Sequence, residues 1–595
     1  GRSFDLRVLE ELESAPPDAA LDAVEAAEAA RLIEAEPNLR EPRYRFVHEL
    51  IRQTLASSLS LPRRQRLHAR IAGAIERIYA SNADAHASAL AHHLYEAGAA
   101  ADAEKAVTWL TRAAQQAASA AAFDEALTHL ENALSLVAEE RSIRVAELHV
   151  QRATALRSLA RMPDAIAALE QALTAFEANG AAARFAETCI PLAMIHIWTV
   201  RPDDARNVCE RGLQMAGPAE SATRIILMYE MAISAVIAND IEPGIATFDA
   251  VQKMQIPQGP AVIRTVAHLR TYFLGFCAAQ IEAAYQTGAE ADRLSESAGD
   301  LWGQVDISWL RVWSAITLGR LDEAASIAKK TISEAERVGH WGTMFFSIWF
   351  LYELRFGGGD FECADELARV LEEYERLHYL PWGFISKVNI GNVARLRGRV
   401  DDAIQWARRA EIPERNHWAG FPQALLAITL AQTGDSRCGE ALDDALRYLP
   451  RPGHPAPGGR WPSVGLVVEG LAFAGRIANA AALHPVAEQM VANGWVLVWG
   501  DQPLARTVAG IAAACARNWR RAEEHHQLAI QQADTLPHRI SQPIARYWYA
   551  EMLRMRGEPG DQTRARELLG EALAMFESLG MPLYAKQARE ATSWR

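Results

Sequence analysis

The chain has 595 residues, a net charge of −13, half of its residues apolar and six cysteines. That length allows several domains or one elongated array, and the mild negative charge disfavours a nucleic-acid groove as the dominant feature. Cys189, Cys209, Cys277, Cys363, Cys438 and Cys515 lie far apart without a CxxC, which argues against a zinc ribbon and suits reduced thiols in the cytoplasm. No stretch approaches about 18 uninterrupted apolar residues and no signal peptide is visible, so no membrane span is expected.

In chain order, FDLRVLEELE from Phe4 and DAALDAVEAAEAA from Asp18 are predicted as two helices. The chain opens directly onto the first of them, so the expectation is the C-terminal part of a longer polypeptide. RLIEAEPNLREPRYRFVHEL from Arg31 alternates apolar and polar residues around Pro37-Asn38 and reads as a β-hairpin. HELIRQTLASSL and RRQRLHARIAGAIERIY return to helix. Helix, helix, wing and helix make a winged-helix-like module over residues 1–80. Arg40, Arg43, Arg45, Arg52, Arg63, Arg64, Arg66 and Arg70 make it locally basic. Glu34, Glu36, Glu41 and Glu49 dilute that charge, and the second helix is acidic where a recognition helix is basic, so direct nucleic-acid binding is disfavoured.

The run RYRFVHELIRQTLASSLSLPRRQRLHARIAGAIE, within Arg43 to Tyr79, resembles a segment of multidomain signal-transduction ATPases (the STAND/AAA type). These include large bacterial transcription regulators and adenylate-cyclase-associated ATPases. In that family the segment closes the nucleotide-binding core and leads into tetratricopeptide-like repeats. The resemblance implies a nucleotide-sensing role for His48 and an upstream nucleotide-binding domain. The other reading of His48 is a half-buried residue supporting the hairpin.

A small residue after a short acidic turn then recurs at Ala126, Ala165, Ala205, Gly244, Ala284, Ala324, Ala364, Ala403 and Ala441, with spacings of 38 to 40 residues. Looser copies follow near Ala480, Ala522 and Ala565. Each unit reads as two helices: Gly319-Arg320 and Gly398-Arg399 stop the first, and acidic residues open the second. One hairpin cannot bury its apolar face, whereas stacked neighbours can. The pattern Gly, then Leu or an aromatic, then Ala (Leu321 with Ala324, Phe361 with Ala364) resembles the tetratricopeptide repeat over roughly residues 85–590, with longer helices than its usual unit. The expected fold is all-α: a superhelical array of tetratricopeptide-like hairpins with a period of about 40, preceded by the winged-helix-like module. Expected divisions are 1–80, the superhelix over 81–448, a Pro/Gly-rich loop over 449–465 and C-terminal repeats over 466–595. The loop, LPRPGHPAPGGRWP from Leu449, is read as a separator of two subarrays or as a recognition segment.

Motifs that carry chemistry are missing. There is no GxxxxGK[ST], GxGxxG after a strand, GxSxG or HExxH, so no enzyme, cofactor or metal site is expected in this chain. His86, His92 and His93, with His86 and His93 seven apart, and the pair His525-His526 invite a metal reading, but polar solvent-facing positions are the preferred explanation. The cysteines read as core, and Asp401-Asp402 and Asp443-Asp444 as capping or solvated pairs.

Eight of the sixteen tryptophans lie between Trp302 and Trp418. Trp309 and Trp349 each stand 15 residues before the small residue of their unit, and Trp313 shares the face of Trp309. Phe273, Phe276, Phe346 and Phe356 fall on the same side. By resemblance that side faces the concave groove, and these seven residues form the candidate ligand- or partner-binding set. The other open reading is that they are simply large core residues. Trp302-Gly303, Trp341-Gly342 and Trp382-Gly383 open three units and read as packing at repeat junctions.

The leading reading is a ligand- or partner-binding sensor arm of a signal-transduction ATPase that regulates transcription or cyclic-nucleotide synthesis. Its effector would be a protein, peptide or small molecule in the groove. The alternative is a free-standing helical-repeat scaffold for protein–protein interaction.

Overall fold

The computed structural model describes residues 3–12, 17–36, 43–137, 141–218, 221–257, 259–378, 381–412, 416–499 and 502–593. The chain forms two compact units, Gly1–Ala182 and Ala183–Arg595. The division falls inside the stretch 81–448, where the repeat pattern is unbroken in sequence.

The first unit opens with β1 (Ser3–Asp5), α1 (Leu6–Leu12), α2 (Pro17–Ala29), β2 (Ile33–Ala35) and β3 (Arg43–Phe46). The strands form an antiparallel sheet of order β1-β3-β2, with Phe4 opposite Tyr44 and Ile33 opposite Phe46. The hairpin β2–β3 is as expected from the sequence, and its Pro37-Asn38 turn lies outside the described residues. The start of the chain differs: Phe4 and Asp5, expected in a helix, pair with β3. The free edge of β3 supplies hydrogen bonds that a short isolated helix would lack. Leu6, Val24 and Ile33 form the buried centre of this module, with Phe4, Tyr44 and Phe46 packed against them.

Helices α3 (Glu49–Ser57), α4 (Leu61–Ile78), α5 (Ala87–Glu96) and α6 (Ala103–Ser119) follow, and helical hairpins occupy the rest of both units. The molecule is an all-α array of tetratricopeptide-like hairpins with the small sheet at its start.

One backbone device repeats along the array. Ala121, Ala160, Val200, Asn239, Ala279, Gly319, Gly359, Gly398, Gly475, Arg517 and Gly560 all have positive φ, between 53° and 93°. Each stands five residues before the small residue of its unit. The following amide closes the turn by bonding back across it, as in Arg320 N–H to Ala315 carbonyl at 2.8 Å and Arg201 N–H to His196 carbonyl at 2.8 Å. This left-handed stop swings the chain back, so the small residue meets the helix just completed. Ala126, Ala165, Ala205, Ala324, Ala364 and Ala403 are accordingly fully buried. At Gly244 a β-carbon would sit 2.7 Å from Val236 Cγ2 and 2.9 Å from the Ala232 carbonyl, so glycine is required there.

Within the second unit, later hairpins return to touch earlier ones. The amides of Val496 and Leu497 both donate to the Thr317 carbonyl, at 2.8 and 3.1 Å, and Ile540 N–H donates to the Gly357 carbonyl at 3.2 Å. The Pro/Gly-rich stretch therefore does not separate two bodies. Its second half, residues 456–462, is buried inside the second unit. Its glycines explain how: a β-carbon on Gly458 would lie 2.7 Å from the Phe276 carbonyl oxygen, and one on Gly459 would lie 2.8 Å from the Trp418 ring.

Candidate functional site

The expected aromatic stripe lies in the second unit on the helices Leu301–Thr317 and Trp341–Gly357 and on the segment before them. Trp309 stacks on Phe346 at 4.6 Å, and Phe276 meets Trp309 at 5.6 Å and Trp313 at 6.1 Å. Trp349 reaches Phe346 at 5.7 Å. Five of the seven predicted residues thus converge.

Two do not. Phe273 begins a widened helical turn, Phe273–Cys277, that rotates it off the shared face. It stacks on Phe248 at 3.9 Å instead. Phe356 packs against Phe361, across the turn of its own hairpin, at 5.4 Å.

The convergent set is not an open groove. Trp418 and Trp499 lie on Trp349 at 6.1 and 4.3 Å, His417 lies on Phe276 at 4.9 Å, and Trp495 lies on Trp313 at 6.3 Å. Trp198 and Trp382 close the other side through Trp309 and Phe346. Trp309 is 2% exposed, Trp313 4% and Trp349 1%. The enclosed cavity has about 20 Å³, room for no more than one water. In this structure the stripe is interior, because the returning segments cover it. His417 is fully enclosed, and burial drives its pKa down to about 3. The covering residues Trp418, Trp495 and Trp499 sit in irregular connections, where helical spacing gives no signal. Their only mark in the sequence is a run of tryptophans beside glycine and proline.

Two of the junction sites pack as read, whereas Trp382 joins the aromatic cluster. Trp302 stacks on His340 at 4.4 Å, and a β-carbon on Gly342 would press into the Trp198 ring at 2.6 Å. Between them, Asp306 accepts from His340 Nε2 at 2.8 Å and pairs with His268 Nε2 at 3.1 Å, tying three successive first helices. Burial pushes the Asp306 carboxyl up, but the two imidazoles outweigh it and hold it well below the usual range.

The histidine expectations need correction. His525 and His526 are fully buried, not solvent-facing. His525 Nε2 lies 2.9 Å from Glu488 Oε1, and His526 fits under Gly510, where a β-carbon would meet its ring at 2.7 Å. His86 stacks on Tyr79 at 3.7 Å.

The first unit presents the opposite picture. His48 is exposed just ahead of α3, not half-buried under the hairpin. No residue of α3 is buried, and Leu50 is 73% exposed and Leu55 52%. Leu61, at the start of α4, is 56% exposed. Arg45 pairs with Glu34 at 2.6 Å and Arg52 with Glu49 at 2.5 Å, so part of the basic charge is locally neutralised. Among the described residues no helix is long and apolar enough to cross a membrane.

No protein-family model and no curated protein matches the chain. Among solved structures it is similar to the APC/C hetero-tetramer Cut9-Hcn1, at 12% identity, covering 90% of this chain and 98% of that chain, with a TM-score of 0.44. It is similar to a Signal Transduction ATPase with Numerous Domains protein with a tetratricopeptide repeat sensor from Pyrococcus horikoshii, at 11% identity, covering 69% and 60%, TM-score 0.36. A Rap protein complexed with Competence and Sporulation Factor matches at 11% identity, covering 65% and 99%, TM-score 0.40. Identity at this level is too low to transfer an activity.

Proposed function

We propose that this chain is a partner-binding sensor arm of a multidomain signal-transduction ATPase that controls transcription or cyclic-nucleotide synthesis. The observation that carries the reading is α3: a helix with no buried residue that exposes Leu50 and Leu55, followed by exposed Leu61. Apolar side chains concentrated in one exposed stretch mark a contact surface. The occupant we assign to it is a nucleotide-binding domain, because this is the segment that resembles the closing element of such a core. Exposed His48 would face bound nucleotide, and exposed Arg63 and Arg66 suit the phosphate-bearing side. The sheet β1-β3-β2 with α1 and α2 then serves as the winged-helix-like module between that domain and the repeats. The arm itself is non-catalytic in this reading. The effector, a protein, peptide or small molecule, meets the repeats elsewhere than on the covered aromatic set.

The test has two steps. The coding sequence upstream of Gly1 is read for a GxxxxGK[ST] loop, and the ATP hydrolysis rate of the complete polypeptide is compared with that of its Leu50→Ser/Leu55→Ser variant. The reading predicts a P-loop and a changed rate. Lack of a P-loop leaves the free-standing scaffold as the function, and an unchanged rate in a folded variant removes α3 from the switch.

A further inference from the structure

α4 and α5 are joined by the tight turns Ala80–His86 and share a buried core to which they contribute the small residues Ala72, Ala87 and Ala91. That close approach brings three imidazoles together. His68 comes from α4, and His92 and His93 come from α5. One ligand nitrogen of each lies within 4.8 Å of the other two, and Nδ1 of His93 is 3.0 Å from Nδ1 of His68. The ring centroids are 5.0 Å apart for His68 and His93, 5.1 Å for His92 and His93, and 5.7 Å for His68 and His92.

We propose that His68, His92 and His93 form a binding site for a divalent transition metal of the zinc class, which clamps α4 to α5. Three imidazole nitrogens suit Zn²⁺, Co²⁺, Ni²⁺ or Cu²⁺, whereas Ca²⁺ and Mg²⁺ require oxygen ligands. Tetrahedral ligands on bonds of about 2.0–2.1 Å stand roughly 3.3 Å apart, so the His68–His93 pair is already close to bite distance. His92 stands at an exposed position, and its ring would have to rotate to close the wider spacing. Two Nδ1 atoms facing each other share at most one proton, and a metal ion would use both lone pairs. Burial, reinforced by His92 and His68, lowers the His93 pKa to about 3, and burial lowers those of His68 and His92 as well. Glu96, one turn beyond His92, adds negative charge near His68 and His92, while Arg64 acts against it at His68 and Arg52 at His92. His93 also lines a cavity of about 310 Å³ with Tyr79, His86 and Ile75, which provides an entry path. Three protein ligands leave a fourth position for water. Because α4 follows the sheet module and α5 opens the repeats, the bound ion would fix the junction between them.

The experiment is calorimetric titration of the metal-free chain with Zn²⁺, and absorption titration with Co²⁺. We expect one equivalent bound and the d–d bands of a tetrahedral Co²⁺ complex. His92→Asn, at an exposed position that should not disturb folding, and His68→Gln should each weaken binding by more than the ~10–100-fold that loss of a supporting group costs. His454→Asn, at an exposed site in the second unit, should leave it unchanged. Absence of stoichiometric binding overturns the site, as does binding that survives His92→Asn and His68→Gln. The three rings would then be a hydrogen-bonded packing cluster only.

Discussion

The backbone N–H of Val496 donates to the carbonyl of Thr317 at 2.8 Å, joining residues more than four repeats apart. Thr317 ends the helix that carries Trp309 and Trp313, and Val496 follows directly on Trp495, which lies against Trp313. The bond thus sits where the second unit covers its own aromatic face. Interior location, not solvent, governs how those tryptophans respond to mutation.

Trp309→Ala and Trp349→Ala should each lower the unfolding free energy by about 3–5 kcal/mol, because both rings are enclosed by neighbours that cannot fully collapse into the space. Trp349 also donates from Nε1 to Glu353 Oε1 at 2.8 Å, so its removal leaves a buried carboxyl short of a partner. Chemical denaturation checks this. Losses of about 1 kcal/mol or less in both variants would mean that the rings are solvent-accessible.

The left-handed turns make a prediction with the opposite sign. Ala121 and Ala160 hold φ of 60° and 58°, a region in which a β-carbon is disfavoured. Ala121→Gly and Ala160→Gly should be neutral or stabilising by up to about 1 kcal/mol, although glycine usually weakens helical proteins. Gly398→Ala should destabilise, since its β-carbon would lie 2.6 Å from Pro582 Cγ at a φ of 76°. Thermal unfolding of the three variants decides. Destabilisation of about 1 kcal/mol by both alanine-to-glycine changes would contradict the repeated turn.

Glu230 is fully buried and has no hydrogen-bond partner for either carboxylate oxygen among the described residues. Burial raises its pKa well above the usual carboxylate range, so it is protonated in the folded state where the unfolded chain ionises it. The folded state is favoured fully below about pH 4.3, and this contribution is lost as the pH rises from there towards the folded pKa. Glu230→Gln removes the titration. Its stability relative to the parent chain should therefore rise by about 1.4 kcal/mol per pH unit across that window. Urea midpoints of both proteins at pH 5 and pH 8 test this, and an equal difference at the two values would refute it.

The repeat was legible because close helix contact permits only small side chains, and Ala126, Ala165 and Ala324 show that spacing directly. Half of the turn was hidden: Val200, Asn239 and Arg517 adopt left-handed conformations without glycine to announce them. The π-like turn at Phe273–Cys277 shifted Phe273 out of the phase that 3.6-residue spacing assigns. Enclosure of the stripe had no local signal, since it depends on pairing Thr317 with Val496. His68 has no mark in the sequence for a similar reason: it stands on the helix before the one that carries His92 and His93. His526 looked solvent-facing by residue type, and only the absence of a side chain at Gly510 makes room for it inside.

The central claim, that the second unit closes over its own aromatic face, is tested most directly by native-state hydrogen exchange at the amides of Val496 and Leu497. Both donate to Thr317, so they should exchange only through large-scale unfolding, with protection near that of the helix Leu301–Thr317. Rapid exchange of these two amides, while that helix stays protected, would show the covering segment detached and would contradict the account.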